Sequence, residues 1–433
     1  MTALAEPVYI DDTADVLVPE QVFTKQVGDK TVRLTKTQMD EFGRELDAIR
    51  NRVLADLGER DASYIRDVMK LQRKLEVYGR GMLFLGILPP FWLAGTAMLG
   101  LSKILDNMEI GHNVMHGQYD WMGDPGLRGQ EFEWDSACPS DQWRYTHNYM
   151  HHTYTNVVDL DRDVGYGVLR MSKDQPWEPY FLGNPVYAFL LMVLFQYGVA
   201  LHELETERVR AGELKWMDKR EVIKEIWGKV KKQTKKDYVA YPLLAGPFAP
   251  VVFTGNMVAN LIRNVWSYTI IFCGHFPAGV SEFSLDEARN ESRGHWYFRQ
   301  VLGSANISGG KWFHIFSGNL SFQIEHHLFP DLPAHRYEEI SSEVQDICRR
   351  YGIPYNTGPI HKQFGSVIAK IVKLALPPGL GGVGERRERR KVSRKQVRAE
   401  YQAKLAAEVA GQIARDPGEP WVKPYQVKAI TAG

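Results

Sequence analysis

Cysteine is scarce in this chain: three in 433 residues, Cys138, Cys273 and Cys348, far apart and with no C-x-x-C pair. That excludes a disulfide framework, a zinc ribbon and a cysteine-ligated iron–sulfur cluster, and it fits a reducing compartment. An excess of one charge is also missing, because 53 Lys and Arg stand against 52 Asp and Glu. Nothing in the net charge argues for a nucleic-acid partner, and none is expected. There is no G-x-G-x-x-G nucleotide fingerprint and no cytochrome-type haem pattern. No basic-then-apolar segment opens the chain, since Met1 to Asp40 is polar and acid-containing. Secretion is therefore not expected, and the N-terminus is expected in the cytosol.

Long unbroken apolar runs are few, and the mean hydropathy is −0.32. Yet 44% of the residues are hydrophobic and 12% aromatic, ample for a sizeable core. Three apolar windows stand out. Gly81 to Leu105 is nearly uncharged but is broken by Pro89-Pro90, so it reads as the tip of a helical hairpin. The returning arm runs from Phe91 to about Gly111, and Pro90 to His112 spans roughly 33 Å of helix, about one hydrocarbon thickness. Tyr238 to Val280 repeats the arrangement, with Pro242, Pro247 and Pro250 before an apolar arm that runs from Val251 to His275. Asn256, Asn260, Arg263 and Asn264 on that arm are costly in lipid and should face other helices or water. The third window, Val186 to Leu201, is shorter. A full span there would put the Lys-rich stretch Lys215 to Lys236 outside, so it reads as an interfacial or re-entrant helix. The rival for all three windows is the buried core helix of a soluble protein.

These windows predict an all-α polytopic membrane protein of the cell membrane. It has two transmembrane helical hairpins, four spans in all, under a cytosolic helical cap, with both termini cytosolic. The expected divisions are a cytosolic segment over 1–62, a membrane domain with its cap over 63–378, and a flexible linker and basic tail over 379–433. Gln38 to Gly58 and Ala334 to Tyr351 are amphipathic, the second with Ile340, Val344 and Ile347 on one face.

Thirteen histidines are present, and seven of them fall in three tight groups: His112 and His116, then His147, His151 and His152, then His326 and His327. Residues four apart share a helix face, so each of the first two groups presents paired imidazoles to one point. Seven imidazoles exceed what one tetrahedral zinc uses, which implies two metals. Zinc has no redox chemistry, whereas breaking the C–H bonds of an aliphatic chain requires it. Iron with dioxygen is the economical choice.

In these motifs the sequence resembles the integral-membrane fatty acid desaturases with three histidine boxes. GHNVMH carries the first box, YTHNYMHHTYTN the second, and GNLSFQIEHHLFPDLP the third, in the form where Gln323 replaces the leading histidine. The resemblance runs from about Glu109 to Pro333 and is nearest to the actinobacterial, including mycobacterial, acyl-CoA desaturases of stearoyl-CoA or linoleoyl-CoA type. It implies a non-haem diiron centre held by His112, His116, His147, His151, His152, His326 and His327. By the same resemblance His275 is an added ligand at the end of the fourth span. Three roles stay open for Gln323: direct ligation, ligation through water, or leaving one iron short of a ligand. The implied reaction uses dioxygen and places a cis double bond in a long-chain acyl group, as acyl-CoA or lipid. Electrons come from NADPH through a separate redox partner of oxidoreductase or ferredoxin type, since this chain carries no such module.

Asp159, Asp161 and Asp163 are candidates to accept hydrogen bonds from ligand imidazoles, as is Glu325. His202, His295, His314, His335 and His361 are expected to be structural, and Trp121, Trp134, Trp143 and Tyr145 either line an acyl channel or anchor at the interface. Two other functions compete: a diiron membrane hydroxylase of alkane or lipid, and a histidine-rich metal transporter, whose ligands would lie at mid-membrane.

Overall fold

A computed structural model describes residues 22–380 except 159, 211, 213, 289 and 290. The expected linker beyond 380, the basic tail and Asp159 lie outside the described residues. The described chain is mostly helical, as expected, but it also contains two small sheets. Strands β1 (Val22–Val27) and β2 (Lys30–Thr35) pair antiparallel across a two-residue loop, where Gly28 takes φ 57°. Alternation in this hairpin buries Val27, Val32 and Leu34, an order that helical periodicity does not reveal. Asn306–Ser308 and Thr357–Pro359 form a short parallel pair.

Helix α1 (Lys36–Ala55) starts on a capping box between Thr35 and Gln38. Its Met39, Phe42, Leu46, Ile49 and Val53 share one core with the Tyr337–Arg350 helix, whose Ile340, Val344 and Ile347 are buried as the periodicity requires. Arg50 clamps this layer to the loop after the third histidine motif, with Nε and Nη2 3.3 and 2.6 Å from the Asp331 carboxylate.

Two helical hairpins stand beneath this cap. Helix α2 (Glu59–Phe84) turns at Leu85 to Leu88 into α3 (Pro89–Leu105), with Pro89 and Pro90 in the first helical positions, where a missing N–H costs nothing. The two helices cross on glycine. A Cβ on Gly79 would stand 2.9 Å from the Leu99 nitrogen, and one on Gly95 would stand 2.8 Å from the Gly79 oxygen. In the second hairpin, Pro242, Pro247 and Pro250 open successive short segments that lead into the Ala249–His275 helix. Asn256, Asn260, Arg263 and Asn264 on that helix are all buried, facing other helices as expected. Asn256 donates to the Asp237 carbonyl at 2.6 Å, and Asp237 also pairs with Lys103 at 2.7 Å and Arg80 at 3.1 Å.

No single described helix is long and apolar enough by itself to cross a membrane. The inward polar residues lower the average of each arm, while the outward faces remain apolar: Leu85, Leu88, Leu93, Leu243, Phe253 and Leu261 are all exposed. The third apolar window is not a straight helix either, because Pro179–Val193 and Phe195–His202 meet at a 105° bend.

Because Gly79 meets backbone directly, Gly79→Val should destabilise the fold by about 1–3 kcal/mol. A lowered thermal midpoint of the solubilised protein would report this, and an unchanged midpoint would refute the close α2–α3 crossing.

Candidate metal centre

The π-helical turn Asp106–His112 continues α3 and delivers the first histidine group. The second group lies on another π-helical run, Arg144–His151, and the third on the short Gln323–Leu328 helix. The π-turn explains the spacing of the second group. In an α-helix His152 would be rotated by about 140° from His147, at 100° per residue. Here the His152 N–H bonds the His147 carbonyl, an i→i+5 link that returns residue 152 to the same side. Their ring centroids lie 5.0 Å apart.

All nine residues singled out by sequence come together in one buried cluster. His112, His116, His147 and His326 offer ring nitrogens within 4.8 Å of one another, and so do His151, His275 and His327. His152 joins the two sets through His326 and His327. Gln323 is turned towards the second set, its amide nitrogen 3.0 Å from Nε2 of His275 and its Oε1 without a partner. Gly274 makes room for it, since a Cβ there would stand 2.8 Å from the Gln323 side chain.

Each imidazole whose Nδ1 is anchored turns Nε2 inward. His151 Nδ1 lies 3.0 Å from both oxygens of Asp161, and His147 Nδ1 lies 3.3 Å from Asp163. Asn113 holds His112 at 3.0 Å, and Thr155 and Gln300 hold His327 at 3.1 and 3.2 Å. The remaining nitrogens include buried atoms with no hydrogen-bond partner: Nε2 of His151 and His326 and both ring nitrogens of His152. Unpaired imidazole nitrogens this dense are costly unless something accepts their lone pairs. Burial and neighbouring imidazoles hold His147, His152, His326 and His327 well below the ordinary range, so they are neutral donors. Burial lowers His151 too, but the Asp161 carboxylate beside it prevails and raises it. The donor set is imidazole nitrogen with one amide, which fits transition metals and not calcium or magnesium.

A narrow, mostly apolar cavity opens from the cluster, lined by Trp134, Trp143, Tyr166, Phe195, Val199 and Ile271 among others. Trp143 stacks on His147 at 4.4 Å, and both it and Trp134 line this cavity. Trp121 is exposed, and Tyr145 contacts Tyr149. Glu325 touches no imidazole. It accepts from Asn306 and Tyr355 at 2.8 Å each, and burial pushes its carboxyl up to about 6. His314 and His335 make ordinary bonds to Ser321 and Asp61, but His202 is buried on the cavity wall with Nε2 3.6 Å from Asp163. Thr155, Gln300 and Asn113 were not singled out as anchors. Only Asn113 and Thr155 lie inside motifs, and nothing in the sequence marks Gln300.

Comparison with known proteins agrees with this geometry. The family model for fatty acid desaturases matches residues 88–359, and the chain belongs to that family. It is therefore an oxidoreductase of fatty acyl chains. An NADPH-dependent stearoyl-CoA 9-desaturase of Mycobacterium tuberculosis is 46% identical over 353 residues, covering 81% of this chain and 83% of that protein. An sn-1 linoleoyl-lipid 6-desaturase of Synechocystis is 26% identical over 300 residues, covering 65% of this chain and 79% of that protein.

Asp161→Asn removes the charge that orients His151 and should lower bound metal or turnover about 10–100-fold. Metal analysis beside an activity assay checks this. The metal-free protein should also lose stability as pH falls. Histidines held low in the folded state take up protons on unfolding below about 6.5, so stability is complete above that pH and declines beneath it. Four such groups outweigh His151, which acts in the opposite direction. A thermal midpoint of the metal-free protein that stays level from pH 8 to 5.5 would contradict the reading.

Proposed function

We propose that this chain is a membrane-embedded acyl-CoA desaturase that introduces a cis double bond into a long saturated chain at a non-haem diiron centre. The observation that carries the proposal is the nine-residue cluster of neutral donors opening on an apolar cavity. Iron with dioxygen would supply the oxidant that breaks aliphatic C–H bonds. The protein's own part is holding and positioning. His112, His116, His147, His151, His152, His275, His326 and His327 are the ligands in this reading, with Gln323 beside His275. Asp161 and Asp163 keep protons on the Nδ1 atoms of His151 and His147, which leaves each Nε2 as a donor.

The cavity walls fix one stretch of the acyl chain beside the cluster, so regioselectivity is a matter of proximity. Stearoyl-CoA is the substrate suggested by the mycobacterial relative, whose name also states NADPH dependence. Electrons pass through a separate reductase, since this sequence has no nucleotide or haem module of its own. The two hairpins supply four spans of the cell membrane. Their outward faces meet lipid, and their inward polar residues pair with one another. The Lys-rich segment before the second hairpin sets the cluster and both termini on the cytosolic side.

Given stearoyl-CoA, ferrous iron, a reductase and NADPH, the purified protein should yield a product 2 mass units lighter than substrate. A product heavier by 16 units would identify a hydroxylase instead. His151→Ala should abolish turnover with membrane insertion unchanged, and retained turnover in that variant would refute the site.

A further inference from the structure

The cavity is not apolar throughout. On the Ala249–His275 helix, Arg263, Ser267, Ile271 and His275 recur every fourth residue and all line it, so one helical stripe forms a wall. His275 belongs to the metal cluster. Arg263 lies twelve residues earlier, about 18 Å away along the axis at 1.5 Å per residue. That distal end is polar.

Arg263 is 1% exposed, and its hydrogen bonds run only to Oδ1 of the adjacent Asn264, from Nε at 3.3 Å and Nη2 at 3.1 Å. Among the described residues no carboxylate lies within 4.0 Å of it. The anions it feels most are Asp135 and Asp237, and both are already engaged, Asp135 by Lys236 and Asp237 by Lys103 and Arg80. Around it, Gln196 Oε1, Ser267 Oγ and Asn107 Nδ2 are buried on the same cavity wall without partners. A methyl terminus or a plain methylene chain against these groups would leave a buried cation and three polar atoms unsatisfied. An oxygen acceptor would satisfy the arginine, the Ser267 hydroxyl and the Asn107 amide N–H, whereas Gln196 Oε1, itself an acceptor, would take a hydroxyl donor.

Resting on the desaturase reading, we propose that Arg263, helped by Ser267 and Asn107, binds an oxygen atom of the acyl substrate and thereby sets which carbons lie beside the histidine cluster. Two sources have this chemistry: the thioester carbonyl, or an oxygenated chain terminus. The cavity meets a second, charged cleft at Trp134 and Ser136, which line both. Arg263 is a positioning residue in this account, since it does not approach the reacting carbons.

The test compares wild type with Arg263→Met and Arg263→Lys, using two matched pairs of probes. One pair is stearoyl-CoA and S-octadecyl-CoA, which lacks the carbonyl. The other is omega-hydroxystearoyl-CoA and stearoyl-CoA. Wild type should favour the oxygen-bearing member of one pair about tenfold or more, a charge-assisted hydrogen bond's worth. The pair that shows this preference identifies the source. Arg263→Met should bring that ratio close to one and spread the double bond over neighbouring positions, and Arg263→Lys should restore part of both. Equal binding within both pairs in wild type, or an undiminished ratio and a single double-bond position in Arg263→Met, would overturn the proposal. If Arg263→Met fails to accumulate, Ser267→Ala read by the same ratio takes its place. Wild-type turnover of stearoyl-CoA is measured alongside: product formed with the ratios unmoved sinks this inference alone, whereas no unsaturated product from any chain sinks the desaturase reading itself.

Discussion

Everything in this structure is arranged around one constraint: eight imidazoles must stand crowded together, out of water, without collapsing onto one another. Isolated in a protein core such a set is unfavourable, because many ring nitrogens have no partner. The fold offsets this by anchoring the outer nitrogen. Asp161, Asp163, Asn113, Thr155 and Gln300 each take hold of an Nδ1, and Thr155 and Gln300 come from segments that also contribute to the cap core. The cap is therefore a clamp on ring orientation as much as a cover. The Arg50–Asp331 pair extends that clamp to α1, a helix that holds no ligand itself.

The hairpins solve a related problem with opposite means. Each must offer an apolar outside while carrying polar groups between helices, and glycine contacts let α2 and α3 approach closely enough to bury Lys103 beside Asp237. That combination lowers the mean hydropathy of each arm while its outward face stays apolar.

Much of this was legible in the sequence because proline and histidine are positional residues. Pro89-Pro90 and Pro250 marked where the long helices begin, and the three histidine groups marked where the donors converge. The buried polar stripe at Asn256, Asn260, Arg263 and Asn264 followed from the cost of such groups in lipid. The third window, read as interfacial or re-entrant from the placement of lysines, is broken by a 105° bend, a shape that a broken span shares. What was not legible depends on contacts remote along the chain. Gln300 reaches His327 across 27 positions, and Thr155 reaches it across 172, and neither pairing leaves a local pattern. The β1–β2 hairpin was missed because its alternation is short and sits in a polar segment. His202 was set aside for lack of neighbouring histidines, whereas its neighbours in space include Asp163 and the cavity wall.

The widened turn at Arg144–His151 ties chain length to angular position in an unusual way. Ordinary helices tolerate many changes of composition because any residue fills a rung. Here one surplus rung is what swings the last imidazole of the run back into line. The segment thus behaves as a vernier whose reading depends on residue count and is largely indifferent to which side chains fill the intervening places. Losing a single position would leave every histidine present in the sequence and still misalign the set.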